Sequence, residues 1–179
     1  RWMMETTESL LEKVALDIHG TTKLNVGDKT IDFKAPYHRI PILEAIEKHT
    51  GIDVSGMDEE KLRTTALSLE IEVDDNMGVG KLIDEIFGSC CEHHYVQPTF
   101  ITDYPKEMSP LTKIHRDKPG LTERFELLVN GKELANAYSE LNDPIDQLER
   151  FEDQLALLEK GDDEAMFIDQ DFVRALEYG

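Results

Sequence analysis

Basic side chains are scarce. Only 19 Lys and Arg stand against 38 Asp and Glu, for a formal net charge of −19. Binding to nucleic-acid phosphates needs clustered Lys and Arg, so this segment by itself makes a poor nucleic-acid surface. The acidity favours solubility and draws cations, and a solvated surface is the simple reading for most of these acids. Cysteine is nearly absent: Cys90 and Cys91 are the two present, and they are adjacent. That is no disulfide framework, and it suits a reducing, cytoplasmic setting. No apolar run is long enough to span a bilayer and no signal-peptide pattern is present, so no membrane partner is expected. Internal repeats and low-complexity tracts are missing too. Arg1 is no initiator and Gly179 follows directly on a helical pattern, so the chain reads as part of a longer protein.

What is present suits one domain, or one domain with an insertion, of class α+β. Residues 3–18 have a helical period, with Leu10, Leu11, Val14, Ala15 and Ile18 as the expected buried stripe and Gly20 as the stop. Residues 23–26 and 30–33 alternate around Gly27-Asp28 as a small hairpin, closed by Pro36. From about 41 to 96 the pattern is helical. Ile42, Leu43, Ile46 and His49 lead to Gly51 as a C-cap, and Ser55 or Asp58 caps a helix carrying Leu62, Ala66, Leu67 and Leu69. A third helix is expected from about 78 to 94, with Leu82, Ile83, Ile86 and Phe87 on one face. Residues 98–104 form a short β-like run, and Pro105, Pro110 and Pro119 punctuate the loop after it. Asp143 and Pro144 form an N-cap and N1 pair for a helix marked by Ile145, Leu148, Phe151, Leu155 and Leu158 and ending at Gly161. Asp169 or Asp171 opens a last helix with Phe172, Ala175 and Leu176. The chain thus divides into a helix and small hairpin (1–40), a helical insertion subdomain too small to be stable alone (41–96), and a core with a central hairpin and C-terminal helices (97–179).

The most informative stretch is 122–143, TERFELLVNGKELANAYSELND. Phe125, Leu127 and Val129 alternate with Arg124, Glu126 and Leu128, the period of a half-buried strand. Asn130-Gly131 follows, and a type I′ hairpin turn needs residues that tolerate positive φ at both central positions. The second strand returns over 132–141. With two loop residues, Val129 pairs with Lys132, Leu128 with Glu133 and Glu126 with Ala135. Glu126 and Glu133 are then diagonal neighbours on one face, close enough to share a cation. Asn136, Tyr138 and Glu140 share a face of their own, and all five converge only if a β-bulge near 134–135 shifts the register. Carboxylates in place of apolar side chains on such a hairpin suggest a binding site.

RFELLVNGKELANAYSELNDP (124–144) resembles the strand pair that precedes motif 3 in the lysyl-tRNA synthetases, a class II aminoacyl-tRNA synthetase family. QPTFITDYPKEMSPL (97–111) and GDDEAMFIDQDFVRALEYG (161–179) resemble flanking segments of that family in the same order, and the likeness extends more weakly over nearly the whole chain. The resemblance implies an antiparallel sheet flanked by helices, with 41–96 as the family's insertion between motifs 2 and 3. It implies a lysine–tRNA ligase that activates lysine with ATP and Mg²⁺, forming lysyl-adenylate and pyrophosphate, and then transfers the lysyl group to tRNA. Glu126 and Glu133 match the positions that hold Mg²⁺ beside the ATP phosphates. Asn136, Tyr138 and Glu140 match the lysine pocket, with Glu140 receiving the ε-ammonium through a charge-assisted hydrogen bond. Tyr138 stands where many members carry Phe. No residue here is expected to be a catalytic nucleophile or base, because the chemistry relies on positioning and charge stabilisation. The arginines of motifs 2 and 3 have no counterpart in this chain, so alone it is expected not to catalyse adenylation. The family's homodimer rests largely on motif 1, and the isolated chain is not expected to form it.

Each feature has a plainer reading. Glu126 and Glu133 could be exposed strand carboxylates, and Tyr138 ordinary core packing. Cys90, Cys91, His93 and His94 lack the second ligand pair that zinc needs, and helix-end packing explains them better. Gly78-Val79-Gly80-Lys81 lacks phosphate-loop spacing and reads as a helix start. Asp162-Asp163-Glu164 is a solvated turn or helix N-terminus, and residues 115–118 are a charged loop. Two functional alternatives remain beside the resemblance. One is a related ligase that attaches lysine to a protein, and the other is a non-enzymatic interaction module built from the acidic segment 41–96.

Overall fold

Short apolar runs far apart in the sequence meet in one sheet. In a computed structural model, which describes residues 1–161 and 165–179, strands β3 (His38–Pro41), β4 (Thr99–Thr102), β5 (Arg124–Leu128) and β6 (Glu133–Tyr138) lie side by side in that order. The acidic run Asp162-Asp163-Glu164 lies outside the described residues. β3 and β4 are parallel, with His38 opposite Thr99, whereas β4 and β5 are antiparallel, with Thr99 opposite Leu128. The sheet is therefore mixed, not wholly antiparallel. β3 went unforeseen because it is short and ends at Pro41, and its partner lies some sixty residues away.

The chain forms two compact units that interleave along the sequence. The first holds residues 1–53, 87–102 and 125–137. Tyr37, Phe100, Phe125 and Leu127 form its buried cluster, and Phe100 meets Phe125 edge-on at 5.1 Å. Helix α1 (Trp2–His19) packs Met4 and Leu11 against this cluster and ends at Gly20, which adopts φ 70. The expected stripe is corrected here: Leu10, Val14 and Ile18 are exposed, while Glu8 and Ala15 are buried. Glu8 decides the rotation of the helix. Its carboxylate accepts the Tyr37 N–H at 3.0 Å and the Arg39 Nη2–H at 3.2 Å, so the buried charge is both paired and hydrogen-bonded. β1 (Lys23–Val26) and β2 (Lys29–Asp32) form the small hairpin with Gly27 at φ 64. Helix α2 (Ile42–Thr50) buries Ile42, Ala45 and Ile46, packs on β3 and β4, and ends at Gly51 in the left-handed region.

The second unit holds residues 54–86, 103–124 and 138–179. Asp58 caps helix α3 (Glu59–Ser68) by accepting the Lys61 N–H, and Leu62 and Ala66 are buried while Leu67 is exposed. Helix α4 (Val79–Cys90) starts beside Gly78 and buries Leu82, Ile83, Ile86 and Phe87. It stops short of the expected 94; its end from Phe87 onward and the separate 3₁₀ turn Glu92–His94 belong to the first unit. Asp143 caps helix α5 (Pro144–Glu159), and Asp169 caps helix α6 (Gln170–Tyr178). The two helices meet through Phe151 and Phe172 at 6.1 Å. The apolar faces expected for both need correction. On α5, Gln147, Arg150 and Phe151 are buried and Ile145 is 72% exposed, and on α6 the buried residue is Val173 while Phe172 and Ala175 are exposed.

Candidate functional site

The hairpin of β5 and β6 turns at Asn130-Gly131 with φ 55 and φ 67, the positive pair of a type I′ turn. Val129 and Lys132 exchange backbone hydrogen bonds across it at 2.9 and 3.2 Å. Continued without interruption, that register would put Leu134 and Asn136 on the buried face and Ala135 beside Glu126. Instead Ala135 and Ala137 pack with Phe125 and Leu127, and the Ser139 N–H donates to the Glu123 carbonyl. Five residues of β5 face six of β6. One extra residue is therefore accommodated on β6 between Lys132 and Ala135, which is a β-bulge.

The offset turns Asn136 toward Glu126, and its Nδ2–H approaches Oε1 of the carboxylate at 3.5 Å. Strict alternation from Lys132 would put Glu133 on the Glu126 face as well. Glu126 is half-buried in the strand, whereas Glu133 and Asn136 are exposed. These three lie in the first unit, and Tyr138 and Glu140 belong to the second. Tyr138 ends β6 at 40% exposure, so it is not core packing in this chain. Glu140 forms an isolated antiparallel bridge with Thr112 and is exposed. The described residues therefore leave the Glu140 carboxylate open to solvent.

Sequence reasoning missed the groups that hold the second-unit end of the hairpin. Glu123 accepts both Arg116 guanidinium hydrogen bonds, at 2.6 and 3.1 Å, and the Ser139 hydroxyl at 2.9 Å. The Arg116 guanidinium lowers its pKa to about 2, with burial opposing and Ser139 assisting. Arg124 donates to the Met108 carbonyl and the Ser109 hydroxyl, both at 3.0 Å, and lies 4.6 Å over the Tyr104 ring. Buried Arg150 ties Asp146 to the Ser109 and Thr112 carbonyls. Its four-residue spacing from Asp146 was a readable helix-pair signal; its burial was not.

A cavity of about 600 Å³ in the second unit is lined by groups of both signs, among them Lys81, Lys106, Asp84, Glu149 and Asp153. None of the five candidate residues lines it. Val79 begins α4 without a preceding strand, and a Cβ on Gly80 would stand 2.6 Å from the Glu107 carbonyl oxygen. Close helix packing therefore explains this glycine, with no phosphate required. Cys91 is buried and its thiol is pushed up to about 12 by burial. Among the described residues no three His, Cys, Asp or Glu side chains come together as a metal site. The hairpin therefore offers at most the Glu126 and Glu133 carboxylates. That donor set fits a hard ion completed by phosphate oxygens and water better than one enclosed by protein.

Among the described residues no helix is long and apolar enough to cross a membrane. The described residues form an α+β fold with a mixed sheet and a carboxylate-bearing hairpin, and comparison gives the family. The chain belongs to the class II tRNA synthetases (D, K and N), whose family model matches residues 1–179. More particularly, it is 69% identical over 178 residues to "Lysine--tRNA ligase" of Porphyromonas gingivalis, covering 99% of this chain and 31% of that protein. The proteins of the same name from Christiangramia forsetii and Azobacteroides pseudotrichonymphae are 65% and 63% identical, with 31% and 36% of their lengths covered. The chain spans about a third of the length of these curated relatives.

Proposed function

We propose that this chain is the portion of a cytoplasmic lysine–tRNA ligase that carries part of the lysine and Mg²⁺–ATP site. The observation that supports the reading most is the approach of Asn136 to Glu126 across the hairpin, at 3.5 Å, with Ala135 and Ala137 packed on the core side. High identity to proteins named for that activity accompanies it. Glu126 and Glu133 offer hard oxygen donors at the ATP phosphates, and Asn136 steadies the Glu126 carboxylate. Those two carboxylates would hold Mg²⁺, which would supply charge neutralisation at the phosphates. Glu140 receives the ε-ammonium of lysine, and the Tyr138 ring lies along its aliphatic stem. A neutral amino acid of similar length leaves the Glu140 carboxylate without a charged partner and is rejected for that reason. The lysine carboxylate then attacks the α-phosphorus of ATP and expels pyrophosphate, and a ribose hydroxyl at the tRNA 3′ end takes the lysyl group from the adenylate as AMP leaves. Under this reading residues 41–96 are the family's helical insertion.

Glu133, Asn136, Tyr138 and Glu140 are exposed, which supports the reading that the described residues alone leave the substrate site open. ATP–pyrophosphate exchange with a panel of amino acids, run on the full-length protein and on this chain, tests the proposal. Exchange driven by lysine in the full-length protein and absent from the chain is the expected result. Preference for an uncharged amino acid would overturn the assignment of Glu140.

A further inference from the structure

We propose that the stacked imidazoles of His49 and His94, with His93 beside them, form a proton-sensitive clamp that holds the Asn130-Gly131 turn of the hairpin while the His49 ring is neutral. The parts all lie in the first unit. His49, in the last turn of α2, stacks on His94 with ring centroids 4.3 Å apart and planes 4° from parallel. His94 in turn lies 4.0 Å from His93. Tyr95 meets His49 edge-on at 5.4 Å and stacks on Phe87 of α4 at 6.3 Å. The histidines thereby join the end of α2 to the 3₁₀ turn Glu92–His94.

That turn is the cradle of the hairpin tip. The carbonyls of Tyr95 and Val96 accept the N–H groups of Gly131 and Asn130, each at 3.0 Å. A Cβ on Gly131 would stand 3.3 Å from Cα of His93, so the two backbones are in close contact. Lys29 of β2 completes the hold by donating to Asn130 Oδ1 at 3.0 Å. Whatever displaces residues 93–96 therefore displaces the turn between Glu126 and Glu133.

Protonation is such a displacement. Two imidazolium rings stacked at this distance repel, whereas neutral rings attract through their faces. Burial holds the His49 pKa below its ordinary value, and the neighbouring charges of His94, Lys48 and His93 lower it further. Tyr95, the other titratable group against the ring, stays a neutral phenol because burial pushes it up to about 12. The C-terminus of α2 favours a cation, and here burial and the neighbouring charges outweigh it. For a base with a lowered pKa, the folded contact is fully present above the unfolded value and is lost as pH falls through the folded one. The clamp is closed at neutral pH and opens in mild acid.

The test is two-dimensional NMR of the 179-residue chain from pH 8 to pH 5, following the Asn130 and Gly131 amides and the His49 ring. The Asn130 and Gly131 resonances are expected to titrate together with His49, at a midpoint below about 6.5. Their solvent exchange, corrected for its intrinsic pH dependence, is expected to rise about tenfold through that midpoint. His49→Phe keeps an aromatic stack without the proton and should remove both effects, and His49→Gln serves if the Phe variant is poorly folded. Amides that do not follow His49, a midpoint above the ordinary histidine value, or an unchanged titration in the variants would each overturn the proposal. The readout is independent of lysine and ATP, so its failure would leave the proposed ligase function standing.

Discussion

Replacing Gly131 by Ala should cost much more than the same change at Gly27, though both glycines sit in two-residue hairpin turns at nearly the same φ, 67 and 64. A left-handed backbone costs a residue with a Cβ about 1–2 kcal/mol, and that cost is common to both sites. The surroundings differ. At Gly27 nothing lies within 4 Å of the added methyl, whereas at Gly131 it meets His93 Cα at 3.3 Å and the Glu92 carbonyl oxygen at 3.6 Å. Both neighbours are backbone, so the turn must lift from its cradle and strain the amide bonds to Tyr95 and Val96. Overpacking of this kind adds about 1–2 kcal/mol, giving roughly 3 kcal/mol for Gly131→Ala against roughly 1.5 for Gly27→Ala. In a chain of this size each kcal/mol lowers Tm by about 2–4 °C. Urea denaturation of the two variants, read by their midpoints at unchanged slope, measures the difference. Both substitutions lie in the first unit, so they share a reference. Equal losses would refute the argument that the 3₁₀ turn supports the hairpin tip.

Three further outcomes are expected. Gly80→Ala places its methyl 2.6 Å from the Glu107 carbonyl oxygen and should destabilise by about 2–3 kcal/mol, whereas Gly88→Ala, with open space in the same helix, should stabilise by about 0.5–1 kcal/mol; thermal unfolding decides both signs. Glu123→Gln should cost about 1–2 kcal/mol at pH 7, a value discounted for the exposed Arg116. Because the folded pKa of Glu123 is depressed to about 2, its contribution is present above the ordinary glutamate value and lost as pH falls toward 2, so the two proteins should converge in urea stability at about pH 2. Arg150→Met should cost about 3 kcal/mol by leaving Asp146 and the Ser109 and Thr112 carbonyls without their donor, and calorimetric unfolding would show it.

Local chemistry made much of the fold legible. Asn130-Gly131, the caps Asp58, Asp143 and Asp169, and the stops Gly20 and Gly51 each act through their own backbone, so the sequence shows them directly. Packing faces were harder to read. α1 carries two apolar stripes, and the choice between them rests on a buried Glu8 bonded to Tyr37 and Arg39, more than twenty residues away. On α5 the inward face is polar because Arg150 and Gln147 bind loop carbonyls, which inverts the hydrophobic rule. The candidate site was visible as charge on a hairpin, and the need for a bulge followed from the odd step between Glu133 and Asn136. The exposure of Tyr138 and Glu140 was not visible, since it depends on which segments surround them.

Calorimetric titration of the full-length protein with lysine, in the presence of Mg²⁺ and repeated with Glu140→Gln, addresses the assignment of the hairpin most directly. The account predicts lysine binding that weakens roughly thirtyfold or more in the variant, as befits the loss of a charge-assisted hydrogen bond to an ammonium group. Equal affinity in the two proteins would contradict it.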